Sequence, residues 1–123
     1  MRGISTVRSP ETEAFLQAID DLADALDQSI DLANRMRDRI REIREELSSG
    51  RSVHEIVPAE ERPLIVQLLT ENANLLLSSG TRVRRTEALA LHREGMTMEQ
   101  IARLFGVTRQ RVSALLRNSG ASP

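Results

Sequence analysis

Between Ser9-Pro10 and Ser48-Ser49-Gly50 the apolar residues recur every seven positions. One series is Ile19, Leu26, Ala33, Ile40 and Leu47; the other is Phe15, Leu22, Ser29, Met36 and Ile43. Heptads sustained over five repeats predict a single helix that packs in a coiled-coil manner. Ser9 as cap, Pro10 in the first helical position and Glu11 at the positive end of the dipole form its start. Gly50 forms its stop. At about 1.5 Å per residue the helix would be roughly 55–60 Å long. A chain of this size cannot cover such a rod alone, so part of the seam is expected to meet another chain. The expected dimerisation set is Phe15, Ile19, Leu22, Leu26, Ile30, Ala33, Met36, Ile40, Ile43 and Leu47. The alternative is a hairpin within one chain, without a dimer.

The two halves of this segment differ. Leu16, Ala23, Ala25, Ile30 and Leu32 widen the apolar stripe early, as in a helix with more than one neighbour. Later the stripe narrows between Arg37, Arg39, Arg44 and Glu46. Asp20, Asp21, Asp24, Asp27 and Asp31 come early; Arg35, Arg37, Arg39, Arg41 and Arg44 come late. Two antiparallel copies would set acid against base, which places the symmetry axis near Ile30 to Ala33. Leu, Ala, Arg and Glu dominate the chain and favour helix. Phe15 and Phe105 are its only aromatic residues, far fewer than a β-sandwich or barrel normally carries. The expected class is all-α: a long N-terminal helix, a central buried helix and a C-terminal three-helix module.

His54-Glu55-Ile56-Val57 predicts a short helical turn. Pro58 and Pro63 bracket Ala59-Glu60-Glu61-Arg62, whose acids are expected to face solvent. Leu64 to Leu69 and Leu75 to Leu77 are apolar nearly all round, which predicts a buried helix. Ser78-Ser79-Gly80 is expected to end it, and Thr81 to start another that runs to about Arg93. Asn72 and Asn74 are expected to face solvent.

The C-terminal segment is the richest in motifs. Thr97 can cap a helix, with Gln100 reaching back to complete a capping box. Ile101, Ala102 and Phe105 share a face, and Ala102 is small where a second helix must pass. Gly106 supplies a positive φ for a tight turn, and Val107 is expected to tuck beneath it. Thr108 is a second cap. Val112, Leu115 and Leu116 form the inner face of the next helix. This leaves Thr108, Arg109, Gln110, Ser113, Ala114 and Arg117 outward, with Arg111 at the boundary. Arg can bond guanine, Gln adenine, Ala a thymine methyl, and Ser or Thr a phosphate.

This stretch resembles the helix-turn-helix of bacterial transcription regulators, particularly region four of sigma factors. Ile101, Ala102, Phe105, Gly106, Val107, Val112 and Leu115 carry the resemblance. It implies a helix that enters the major groove, with Thr108, Arg109, Gln110, Ser113 and Arg117 as base or phosphate contacts. The full expected DNA-contacting set is Thr97, Thr108, Arg109, Gln110, Arg111, Ser113, Ala114 and Arg117. The rest of the chain does not resemble a sigma factor, so no sigma activity is implied.

Charge agrees with that reading. Residues 81–123 hold eight Arg against three Glu, a balance of +5; residues 1–80 hold nine Arg against fifteen acids, a balance of −6. Clustered positive charge is the footprint of nucleic-acid binding. All seventeen basic residues are Arg, which suggests a GC-rich bacterial genome. The chain has no Cys, which excludes disulfides and thiolate ligands. His54 and His92 lie in separate elements, and neither a phosphate loop nor a nucleophile elbow is present. No catalytic role, cofactor or metal is therefore expected. No membrane span or signal core is read, so a cytoplasmic, nucleoid-associated location is expected. Residues 9–80 would form the dimerisation region and 81–117 the DNA-binding domain, with disordered tails at 1–8 and 118–123. The expected function is that of a dimeric, sequence-specific bacterial transcription regulator that binds double-stranded DNA. Two alternatives remain: an architectural nucleoid protein of low specificity, and a coiled-coil module that contacts RNA polymerase or another regulator.

Overall fold

The computed structural model describes residues 8–121, and the side chains of residues 8–117. Of the expected disordered tails, residues 1–7 and 122–123 lie outside these residues, whereas 118–121 are helical and not a disordered tail. Five helices follow in order: α1 Pro10–Ser48, α2 Val53–Ile56, α3 Ile65–Arg93, α4 Met98–Phe105 and α5 Arg109–Ala121. Among the described residues there is no strand, and the all-α class is as the sequence reads. Helix α5 runs past Arg117, its expected end, to Ala121.

The caps of α1 match the sequence. The Thr12 amide donates to Ser9 Oγ at 3.1 Å. At the other end Gly50 has φ 99° and the Arg51 amide reaches back to the Glu46 carbonyl at 3.2 Å. A left-handed residue followed by a six-residue return bond is the usual way to satisfy the last carbonyls of a helix.

The chain forms two compact units: Met1–Ala23 with Ser78–Pro123, and Asp24–Leu77. In the second unit the buried apolar residues are Ala25 and Leu32 of α1, Ile56 of α2 and Leu68 of α3. Met36, Ile43, Leu64, Ile65, Leu75 and Leu76 are half-buried. Arg39, read from sequence as flanking the stripe, turns inward: Nη1 donates to Glu60 Oε1 at 3.1 Å and to the Pro63 carbonyl at 3.0 Å. Glu60 Oε1 also accepts the Ile65 amide at 2.6 Å, so it caps α3. The solvent-facing expectation fails for Glu60, whose side chain is 6% exposed; it holds for Glu61. A buried arginine needs a carboxylate, and the start of α3 needs an acceptor; one side chain serves both.

Two expectations for α3 are corrected. Ser78-Ser79-Gly80 does not end the helix; α3 continues unbroken to Arg93. Gly80 is not among the positive-φ glycines, so it makes no αL cap. Weak intrinsic propensity yields to packing of the residues on either side. Nor is α3 buried all round: Val66, Leu69 and Leu77 stand 61%, 59% and 65% exposed. Asn74 is exposed as read, whereas Asn72 is half-buried and its Oδ1 is buried without a bond.

The expected dimerisation residues separate into two groups. Phe15, Leu22, Met36 and Ile43 are half-buried, on the side of α1 that also carries Ala18, Ala25 and Leu32. Ile19, Leu26, Ile30, Ile40 and Leu47 are exposed, and Ala33 lies between.

Candidate nucleic-acid interface

The unit that carries the interface is built around Ala88, Ile101, Ala102, Val112 and Leu115. Leu91, Met96, Met98, Phe105 and Leu116 pack against them. Ala88 and Ala90 are buried, whereas the larger Val83, Leu89 and Leu91 of the same helix are half-buried. Alanines at these points, with Ala102 on α4, let helix backbones approach closely. Thr86, also buried, donates its hydroxyl to the Arg82 carbonyl at 2.8 Å, which satisfies it within α3. The first part of α1 and the last part of α3 run antiparallel: Asp21 pairs with Arg82, and Glu11 with Arg93 at 3.5 Å. Hydrogen bonds from Gln17 and then Arg82 hold the Asp21 carboxyl below its ordinary value.

The predicted caps and the turn glycine have their predicted geometry. Thr97 Oγ1 accepts the Gln100 amide at 3.1 Å, while Gln100 Oε1 accepts the Thr97 amide at 2.8 Å. Gly106 sits at φ 70°, ψ 35°. Thr108 Oγ1 accepts the Arg111 amide at 3.1 Å. Val107 departs from its expectation, since it is 38% exposed rather than tucked under the turn.

Burial of Val112 and Leu115 fixes which side of α5 faces out. Thr108, Arg109, Gln110, Arg111 and Arg117 are exposed; Ser113 and Ala114 are half-buried. Two of the arginines are held. Arg109 Nε lies 3.4 Å from Glu99 Oε2, and Arg117 Nη1 donates to Ser113 Oγ at 3.1 Å. The Gln110 and Arg111 side chains have no hydrogen bond or ion pair among the described residues. A shallow cleft of about 210 Å³ lies between Met98, Arg109, Gln110 and Ser113. Thus Arg109, Gln110, Ser113, Ala114 and Arg117 share one side of α5, with Arg111 at its edge and Thr108 as its cap, while Thr97 stands at the start of α4 with its hydroxyl engaged in capping.

Residues 79–122 match the model of a family described as the homeodomain-like domain. The match begins within α3 and takes in α4 and α5, so the unit ends in a helix-turn-helix DNA-binding domain. No curated protein and no solved structure matches the chain. In the homeodomain-like domain, sequence reading missed Glu99 as the partner of Arg109 and Met98 as a wall of the cleft beside it. The available signal was position: both residues stand in the first turn of α4, level with the first turn of α5. His54 lies in α2 and His92 in α3, where His92 Nδ1 lies 3.2 Å from the Met96 carbonyl. Among the described residues no helix is long and apolar enough to cross a membrane.

Proposed function

We propose that the chain is a dimeric, sequence-specific DNA-binding protein that regulates transcription in a bacterium. It acts by binding rather than by catalysis, in the cytoplasm at the nucleoid. Helix α5 enters the major groove with Arg109, Gln110, Ser113 and Ala114 toward base edges. Thr108, Arg111 and Arg117 lie at the phosphates, which fix register without carrying sequence information. The observation that carries this reading is the outward surface of α5. A helix with a buried Val112–Leu115 side presents arginine and glutamine, the groups that read guanine and adenine edges. The exposed series Ile19, Leu26, Ile30, Ile40 and Leu47 on α1 supports dimerisation.

Genome-wide footprinting followed by titration of a recovered site tests the reading. Arg109→Ala is expected to weaken that site by about 1–3 kcal/mol and to relax preference at one base position. Equal affinity for unrelated duplexes, with a steep salt dependence, would instead identify an architectural binder. No binding to any duplex at low salt would reject both.

A further inference from the structure

Within Asp24–Leu77, α1 presents Leu26, Ile30, Ile40 and Leu47 at 47%, 58%, 52% and 43% exposure. Each stands one residue beyond the buried side marked by Ala25, Ser29, Arg39 and Glu46. On α3, Val66, Leu69 and Ala73 are exposed, each one residue beyond Ile65, Leu68 and Asn72. Leu77 lies on the same α3 face as Val66 and Ala73. One residue is about 100° of helix rotation. In this unit the two helices run antiparallel, because the chain reverses through residues 49–64 and Arg39 bonds the Pro63 carbonyl. The same rotation taken along antiparallel helices turns both rows to the same side. The two rows therefore make one apolar face, of which the sequence reading saw only the α1 half.

We infer that this face is covered by a second copy of the chain, forming an antiparallel four-helix bundle with α1 on α1 and α3 on α3. The inference rests on the dimer reading above and adds α3 and a direction to it. Three observations select a second copy over another partner. The unit buries only Ala25, Leu32, Ile56 and Leu68, a small core for two long helices. Seven large aliphatic side chains on the face each stand 43–65% exposed, a contiguous apolar patch of the kind that marks a protein–protein interface. The charges are mirrored about Asn34, one residue beyond the Ile30–Ala33 stretch where the sequence reading set the axis. A twofold axis there sets Asp27 level with Arg41, Asp31 level with Arg37 and Asp24 level with Arg44. Asp27 and Arg41 flank the apolar row directly. Arg37 and Arg44 rise beside Ile40, where an open groove of about 360 Å³ is lined by Arg37, Ile40, Arg41 and Arg44. Parallel copies would set like against like at all three levels. Arg41 meanwhile bonds Asp38 at 3.2 Å within its own helix, an exposed pair that competes weakly.

Sedimentation of the full chain at micromolar concentration tests the bundle. The wild type is expected to be a dimer, and Ile40→Glu and Leu69→Glu are each expected to be monomers with unchanged helicity. Asp27→Arg is expected to weaken the dimer about tenfold, and the Asp27→Arg/Arg41→Asp double variant to restore it. A monomeric wild type would overturn the dimer and the bundle together, while leaving the footprinting test of DNA binding untouched. A dimer broken by Ile40→Glu but indifferent to Leu69→Glu would overturn the bundle and keep a dimer through α1. Failure of the double variant to recover would overturn the antiparallel direction.

Discussion

Gly106 and Glu60 show how much single residues decide here. Gly106 turns the chain between α4 and α5 at φ 70°, and a Cβ built there meets nothing within 4 Å. Gly106→Ala therefore carries only the left-handed backbone penalty. It is expected to cost about 1 kcal/mol, read as a shift in denaturant midpoint with an unchanged slope. Glu60 is different, because it answers two buried needs at once. Glu60→Ala leaves Arg39 enclosed without its carboxylate and the Ile65 amide without its acceptor. The expected cost is about 3 kcal/mol; a loss under 1 kcal/mol in urea titration would show that Arg39 finds water instead. Gly106 was legible in sequence because a turn demands its one peculiarity. Glu60 was not: a glutamate between two prolines looks solvated until the arginine that reaches it from α1 is located.

At the scale of elements, sequence is most reliable where caps and period agree. The α1 boundaries, the Thr97–Gln100 capping box and the turn before α5 depend on residues within a few positions of each other. The failures are of another kind. Ser78-Ser79-Gly80 reads as a stop, yet α3 passes through it, because the packing that holds the helix comes from residues far away in sequence. Gly80 thus sits mid-helix at an entropic disadvantage. A Cβ there meets only the Arg84 guanidinium, at 3.8 Å, ordinary contact. Gly80→Ala is expected to stabilise the protein by about 0.5–1 kcal/mol, seen as a higher Tm. The apolar content of α3 misled for a related reason. Val66, Leu69 and Leu77 were read as core because composition counts apolar residues without saying which of them a neighbouring helix covers. On α1 the heptads fixed the helix and its two series. They did not say which series a neighbouring helix of the same chain would take.

For the whole molecule, the proposed dimer of helix-turn-helix units would set the form of its DNA site. Two copies related by a twofold axis read an inverted repeat. The half-site centres are expected to lie a whole number of helical turns apart, about 10.5 base pairs each. Footprinting that recovers single half-sites with no partner at a fixed spacing would count against a twofold complex. The charge division of the chain was fully legible in sequence, and it coincides with the homeodomain-like match from residue 79. The expected contact set collects on α5 apart from Thr97, whose hydroxyl is engaged at the start of α4.

In the proposed DNA complex, the pairing of Arg109 with Glu99 would give the reading surface a threshold. A base or phosphate that approaches Arg109 meets a guanidinium already in company, and must displace a carboxylate 3.4 Å away. The pair is exposed, so the barrier is below about 1 kcal/mol. That is small beside a bidentate bond to guanine and comparable to a passing phosphate contact. Brief encounters along the duplex would leave the pair closed, and a matched base would open it. A single glutamate in the first turn of α4 would thus help the protein to leave wrong sequences quickly.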